Sequence, residues 1–299
     1  MKNNINRQAI FIFIVLAIIW GTSFILIKKS LGVFSPIQLG SLRIIITFFT
    51  LAPFAWKYLK KVRFRDAFIL TISAFVGSFF PAYLFAFAQQ GINSSTAGIL
   101  NSLTPLFALL FGVLFFKFQA RWWNYLGIII SLTGTYGLLS VSGGQSFGFN
   151  IQYGGLVLIA SLGYGLQVNI IKYYLSHLPS FTIVVLQFFI IFIPAVLVLL
   201  FATDFVKIMS LEKEFIQGMM YVSILAIIAT AFALILFYRL IKMVDPVFSS
   251  SVTYFIPAIA TLWGLFDGES IGLSFVFWVT LILLGVFAVN TKKKFLFFK

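Results

Sequence analysis

Residues 8–28 have the sequence QAIFIFIVLAIIWGTSFILIK, an apolar run whose single charge stands at its last position. A helix needs about 20 mostly apolar residues to cross the hydrocarbon core of a bilayer. Further runs of this kind follow, separated by short connections that carry most of the charged residues. They cover residues 36–56, 66–89, 95–116, 122–141, 153–174, 180–201, 215–238, 246–266 and 271–290. The predicted fold is therefore an all-α integral membrane protein with ten transmembrane helices.

The composition excludes a soluble enzyme. Hydrophobic residues make up 61% of the 299 residues and charged residues 9%, whereas a soluble domain carries about 25% charged residues. Membrane-spanning strands would be about ten residues long with alternating polarity, so these longer runs, apolar all round, favour helices. The chain has no cysteine and one histidine, His177. We therefore expect no catalytic site, no metal site and no cofactor, and we predict that the protein is not an enzyme.

The positive charges are distributed unevenly along the chain. A net charge of +14 is typical of nucleic-acid-binding proteins when the charges share one surface. With the N-terminus placed inside, however, 16 of the 21 Lys and Arg residues fall in cytoplasmic segments and four in outer segments. Positive residues favour the cytoplasmic side of a membrane. We therefore predict cytoplasmic N- and C-termini, a basic cytoplasmic tail at 291–299, a bacterial-type plasma (inner) membrane location and no nucleic-acid partner.

An internal repeat divides the predicted helices into two groups of five. Residues 101–105 (NSLTP) match residues 253–257 (TYFIP) at an offset of 152 residues, and Trp20-Gly21 matches Tyr164-Gly165 at an offset of 144. The two predicted repeats cover residues 1–142 and 153–290. Because each repeat has an odd number of spans, the two repeats enter the membrane from opposite sides and have inverted topology. Inverted repeats commonly place the substrate site near the middle of the membrane, between the two halves.

Several short motifs occur in a fixed order along the chain. They are Trp20-Gly21-Thr22-Ser23-Phe24 in helix 1, Leu42-Arg43 in helix 2 and the prolines of helices 4 and 9. In this order they resemble the EamA-type family of the drug/metabolite transporter superfamily, over nearly the whole chain. That family commonly has a Gly-Glu pair after the proline helix; the second half has Gly268-Glu269, but the first half has Phe116-Lys117. The resemblance implies a transporter of small metabolites, such as amino acids or related amphiphiles, which are often exported.

Polar and aromatic residues within the apolar runs are the candidates for substrate binding. Polar groups in hydrocarbon are costly, and they usually face the interior of a helix bundle or a cavity. The candidates are Trp20, Arg43, Tyr83, Asn101, Thr104, Tyr164, Gln167, Thr230, Thr253 and Tyr254. Pro105 and Pro257 are expected to kink helices 4 and 9, because proline removes a helix hydrogen bond. The alternative for each candidate is a structural role in helix packing.

Arg43 is the charged residue that lies well inside a predicted span, seven residues after Pro36. At 1.5 Å per residue it lies about 10 Å below the outer end of helix 2. Two roles are open for it. It either caps carbonyls and ties helix 2 to a neighbour, or it anchors a substrate carboxylate or phosphate. Its counterpart in the second repeat is Gln187, which is uncharged. The second repeat therefore has no arginine that could play the same role.

The seven acidic residues all fall in loops or at the ends of predicted spans. Proton-coupled pumps typically use carboxylate or histidine relays buried in the membrane. We therefore predict no carboxylate relay in the core. Transport would then proceed by facilitated diffusion, by exchange, or by coupling through Asp267 and Glu269 at the outer rim.

The leading functional prediction is a small-molecule transporter in the lipid bilayer that exports metabolites by alternating access around a cavity between the repeats. It would act as a monomer or a homodimer. A lipid-headgroup flippase of the same fold is the alternative, and it would need a groove that is open laterally to lipid. A membrane enzyme would need a buried nucleophile–base pair or a metal cluster, which these residue types disfavour.

Overall fold

The computed structural model describes residues 7–59, 63–119, 122–141, 151–209, 212–268 and 272–290. Every regular element within these ranges is a helix. Eight stretches are long and apolar enough, by length and composition, to cross a membrane. The predicted tail at 291–299 and the coupling candidate Glu269 lie outside the described residues. The all-α membrane fold predicted from the apolar runs is confirmed.

The helices follow one another in two groups of five. The first group is α1 (Arg7–Leu31), α2 (Pro36–Leu59), α3 (Phe64–Ala88), α4 (Ser94–Phe115) and α5 (Trp122–Val141). The second group is α6 (Ile151–Tyr174), α7 (Ser180–Phe201), α8 (Lys213–Met243), α9 (Pro246–Phe266) and α10 (Leu273–Asn290). A short helix, Phe205–Ile208, lies between α7 and α8.

The third helix of each group contains a π-helical turn. In α3 this turn is Phe75–Phe79, between Phe64–Ala74 and Phe80–Ala88. In α8 it is Ile227–Phe232, between Lys213–Ala226 and Ala233–Met243. The two turns begin 152 residues apart, which is the offset found in the sequence for the proline motifs.

The fourth helix of each group is broken near its middle. In α4 the segments are Ser94–Asn101 and Thr104–Phe115. In α9 the segment Pro246–Ser250 continues as a 3₁₀ turn, Ser251–Tyr254, before Ile256–Phe266. Each resumed segment has its proline, Pro105 or Pro257, as the second residue. Proline is tolerated there because the first turn of a helix leaves its N–H groups without helical partners.

Helices of the two halves pack against each other throughout the described structure. Helix α2 packs against α7, α1 against α9, α6 against α3 and α4, and α5 against α10. On α5, Gly134 and Gly137 lie directly against Ile282 and Trp278 of α10, a close approach that small residues permit in membrane helices. The largest core cluster likewise contains residues of both halves. The space between the halves is therefore the centre of the molecule.

Candidate substrate cavity

A central cavity lies between the two halves. Its volume, as the space open to the centres of water molecules, is about 70 Å³. Since one water needs about 10–15 Å³ by this measure, the cavity holds a few waters. Ligand sites typically reach about 300–1,000 Å³, so a metabolite requires the helices to separate. Trp20, which lines the cavity, is in the middle of the 25-residue α1, so the cavity lies at mid-depth.

Most of the predicted binding residues converge on this cavity. Eight of the ten line it: Trp20, Arg43, Asn101, Thr104, Tyr164, Gln167, Thr230 and Thr253. They come from α1, α2, α4, α6, α8 and α9, and thus from both halves. The structure thus places these eight side chains around one cavity, and their role in substrate binding stays a prediction.

Both π turns face the cavity, and a polar side chain of the other half donates a hydrogen bond in the α8 turn and just before the α3 turn. Trp20 Nε1 of α1 donates a hydrogen bond to the carbonyl of Ala229 in the α8 turn, at 3.1 Å. Gln167 Nε2 of α6 donates to the carbonyl of Ser73, just before the α3 turn, at 3.0 Å. A Cβ atom at Gly77 would overlap the Gln167 amide, so the glycine leaves room for this amide in its present position. π turns frequently occur at functional sites.

Arg43 faces the cavity. Its Nε donates to Thr230 Oγ1 at 2.8 Å, and the phenol of Tyr164 lies beside the guanidinium. One turn further along α2, Thr47 Oγ1 donates to the carbonyl of Arg43 at 2.7 Å and also lies 3.1 Å from the carbonyl of Ala226 in α8. Arg43 therefore connects α2 to α8, and its two predicted roles, a tie between helices and an anchor for a substrate anion, both stay predictions. Because a guanidinium has five N–H donors, the tie to Thr230 does not exhaust Arg43.

The break in α4 supplies a second polar wall. Thr104 Oγ1 donates to the carbonyl of Asn101 at 2.7 Å, so the hydroxyl satisfies a carbonyl that the broken helix leaves open. Ser161 Oγ of α6 lies 3.4 Å from Asn101 Oδ1. Asn101 is 5% exposed, and its amide group borders the cavity. Thr253 reaches the same cavity from the 3₁₀ turn of α9.

Tyr83 and Tyr254 lie outside the cavity lining. The Tyr83 hydroxyl is 2.9 Å from Ser41 Oγ, and its ring packs on Gly40, so the side chain lies between α2 and α3. Tyr254 packs against the cluster that contains Leu103. Adjacent helical residues point in different directions. Thr253 therefore faces the cavity, and its neighbour Tyr254 does not.

Twelve further lining residues are not among those predicted from the sequence to bind substrate. They are Ser23, Phe24, Ile27, Ile44, Gly77, Ser78, Ala82, Phe85, Phe188, Ala229, Leu234 and Phe237. Phe237 meets Trp20 edge-to-face with ring centroids 4.8 Å apart. With 39 phenylalanines in the chain, nothing distinguishes such a ring from a lipid-facing one.

The rim that is predicted to be outside joins the ends of α1 and α9. Asp267 forms ion pairs with Lys28, at 2.8 Å, and with Lys29. Hydrogen bonds from these two ammonium groups hold the pKa of Asp267 below its ordinary value of 3.8. The carboxyl therefore stays ionised near neutral pH, which does not suit a proton carrier.

A second cavity, of about 240 Å³, lies at the end of the molecule predicted to be cytoplasmic. It is lined by Arg63, Arg65, Asp66, Ile69, Tyr173, Tyr174 and His177. The His177 ring nitrogen Nε2 lies 3.1 Å from Asp66 Oδ2. This contact joins the start of α3 to the connection between α6 and α7.

The EamA-like transporter family matches the chain twice, over residues 7–140 and 154–291. The chain belongs to the EamA-like transporter family. An uncharacterized transporter of Archaeoglobus fulgidus is 25% identical over 277 residues, which are 92% of this chain and 95% of that protein. A second one from the same organism is 30% identical over 183 residues, 59% of this chain and 53% of that protein. The family predicted from the short motifs is confirmed.

A solved crystal structure shares the fold of this EamA-like chain. The two superpose with a TM-score of 0.66 at 17% identity, over 95% of this chain and 96% of the other. Family membership and the apolar helices together identify an integral membrane transporter. They point away from an enzyme, and the described residues contain no group of three His, Cys, Asp or Glu side chains placed to hold a metal ion.

Proposed function

We propose that this EamA-like protein exports a small amphiphilic metabolite, in the class of amino acids and related compounds, by alternating access around the central cavity. The observation that carries the proposal is a mid-depth cavity lined by polar side chains of both halves. Inverted-repeat transporters commonly place their substrate at this point. The outward direction and the metabolite class rest on the family resemblance.

The structure offers places where such a movement can occur. Each half has a π turn in its third helix and a break in its fourth helix. Helices bend where the regular hydrogen-bond ladder is interrupted. The bonds from Trp20 to Ala229 and from Gln167 to Ser73 connect opposite halves. Rocking of one half against the other would therefore lengthen or exchange these bonds while the cavity opens.

The energy source follows from the positions of the acids. Among the described residues, no Asp or Glu lines the cavity. The lowered pKa of Asp267 makes that residue a poor proton carrier, which leaves Glu269 as the rim candidate. Facilitated diffusion or exchange is accordingly the mode we favour, in a bacterial-type plasma membrane with both termini cytoplasmic.

The test combines ligand binding with transport. Purified protein is screened by thermal shift against amino acids, nucleosides, sugars and organic cations, and each hit is then assayed for uptake into proteoliposomes. We expect hits whose stabilisation and uptake are lost in Asn101→Ala and Thr253→Val. Tyr254→Phe is the matched control, because its ring lies outside the cavity. Uptake that survives both cavity variants would reject this cavity as the site.

The alternative function for this fold is a lipid-headgroup flippase. Movement of a fluorescent lipid across protein-containing vesicles, together with loss of all soluble-substrate uptake, would favour it over metabolite transport.

A further inference from the structure

We infer that the central cavity selects a substrate with a single anionic group, such as a carboxylate, on a flat apolar body, and that Arg43 binds this group. The inference rests on the proposed transport function, and within the amphiphilic metabolites proposed there it favours relatives of amino acids that carry a carboxylate and no ammonium group. It distinguishes a monoanion from zwitterions, neutral compounds and cations of the same shape.

The first step concerns the charge of Arg43. Its partners in the structure, Thr230 and Tyr164, are neutral. The ion pairs found among the described residues all lie elsewhere, at Lys28, Lys29, His177 and Lys207. A charge held inside a membrane protein without an opposite charge is costly. An anionic ligand at the free N–H groups would remove that cost, whereas a purely structural role leaves it in place.

The second step concerns the rest of the lining. Within the described part of the chain, Arg43 is the one charged side chain that borders the cavity. An ammonium group on the substrate would find no carboxylate there and would be repelled by the guanidinium. The expected order of affinity is therefore anion first, then zwitterion and neutral compound, and cation last.

The third step explains why one anionic group fits and two do not. Gln187 stands at the position in the second half that corresponds to Arg43. Gln187 does not line the cavity, and its amide is held away from it: Nε2 donates to Ser73 Oγ at 2.8 Å, and Oε1 accepts from the Tyr238 hydroxyl at 2.7 Å. The second half therefore offers no matching anion site.

The fourth step concerns the apolar body. Tyr164, beside the guanidinium, stacks on Phe85 with an interplanar angle of 20°. Trp20 and Phe237 form an edge-to-face pair that also borders the cavity. Aromatic faces of this kind accommodate flat apolar groups. The anion site and the aromatic surface are thus adjacent, which suits an arylalkyl carboxylate.

The experiment compares four compounds that share one body: 3-phenylpropanoate, phenylalanine, 3-phenylpropanamide and phenethylamine. Their dissociation constants are measured on the full-length protein in detergent. We expect 3-phenylpropanoate to bind most tightly, and Arg43→Gln to weaken it by about 10- to 100-fold, as for loss of a hydrogen bond to a charged group. Lys207→Gln is the control, because it removes an exposed positive charge far from the cavity; it should leave all four constants unchanged.

A second variant covers the case in which Arg43→Gln does not fold. Arg43→Lys keeps the charge and loses the planar fork of donors, so the preference for propanoate over propanamide should persist at lower affinity. The inference is overturned if the amide or the amine binds wild-type protein as tightly as propanoate. It is also overturned if propanoate does not bind at millimolar concentrations, or if the preference survives Arg43→Gln.

The two proposals fail in different ways. Uptake that depends on Asn101 but shows no preference for anions would leave the transport function standing and overturn the anion site. Binding of propanoate at Arg43 without uptake of any compound, including the membrane-impermeant 3-phenylpropanesulfonate, would leave the anion site standing and overturn the transport function.

Discussion

Arg43 Nε donates to Thr230 Oγ1 at 2.8 Å, and this bond joins α2 of the first half to the π turn of α8 in the second half. Thr230 in turn donates to the carbonyl of Leu225 at 2.9 Å. A hydroxyl that accepts from a cation and donates to a carbonyl fixes the position of both. The cavity wall is therefore held at the point where the regular hydrogen bonding of α8 is interrupted.

Thr230→Val should lower stability, because it leaves the Arg43 Nε–H and the Leu225 carbonyl without these partners. Loss of a hydrogen bond to a charged group costs about 1.5–3 kcal/mol, which should appear as a lower apparent Tm in detergent. Thr133→Val is the control: its hydroxyl donates to Ile129 within α5 and is exposed. Equal Tm values for the two variants would show that the bond to Arg43 contributes nothing.

Gln167 and Asn169 form a matched pair on α6. Both are buried amides that donate to backbone carbonyls, Gln167 to Ser73 and Asn169 to Ala108 at 2.8 Å, but of the two only Gln167 lines the cavity. Both Leu variants should lose about 1–3 kcal/mol, the cost of an unsatisfied buried carbonyl. Only Gln167→Leu should also change the affinity for transported compounds. A similar change in Asn169→Leu would mean that general loosening of α6 explains both.

The sequence predicts the helices and eight of the twenty cavity-lining residues, because both depend on local pattern. Apolar runs define the spans, and Pro105 and Pro257 mark where α4 and α9 resume. Asn101 and Thr104, two polar residues of an apolar run beside Pro105, reach the same cavity from the two sides of the break in α4. Thr253 and Tyr254 could not be separated in this way, because the 3₁₀ turn that contains them alters the direction of each side chain.

The π turns could not be predicted. Their residues, FVGSF at 75–79 and IIATAF at 227–232, have the composition of ordinary membrane helix. Whether Arg43 faces the cavity likewise depends on the rotation of α2 against α8, which a single sequence does not encode locally. Gly77 carries the available hint, since a glycine within a helix often marks a close approach.

Asp267 should not confer pH dependence on transport. A carboxyl whose pKa is lowered on folding adds stability above its unfolded pKa, and this stability is lost as pH falls through the folded value. With the folded pKa below 3.8, that loss lies in the strongly acid range. Uptake by Asp267→Asn should therefore parallel wild type from roughly pH 5 to 8.

Asp204→Asn is the matched control for this rim position, because Asp204 pairs with Lys207 on the exposed surface at 2.6 Å. Glu269→Gln, assayed in parallel, tests the remaining rim acid. Uphill uptake driven by a pH gradient in wild type and abolished in Asp267→Asn alone would contradict the prediction.

The orientation can be tested directly because the chain has no cysteine. His177 and Lys207, with 52% and 80% of their side chains exposed, are suitable sites for single cysteines. A membrane-impermeant maleimide should label Lys207→Cys in intact cells and His177→Cys only after permeabilisation. The reverse pattern would invert the predicted topology.

Gly77→Ala should impair both stability and transport. The methyl group added in the π turn of α3 would overlap the amide of Gln167 on α6. The amide would have to move and give up its bond to the Ser73 carbonyl, and an unsatisfied buried carbonyl costs about 1–3 kcal/mol. Gly155→Ala is the matched control on α6, because a Cβ atom there meets open space and alanine is intrinsically the better helix former, by about 1 kcal/mol. The apparent Tm should therefore fall in the first variant and stay level or rise in the second. If Gly77→Ala keeps wild-type Tm and uptake, the contact between Gln167 and the π turn is not required for the cavity, and the bond to Ser73 loses its proposed role in transport.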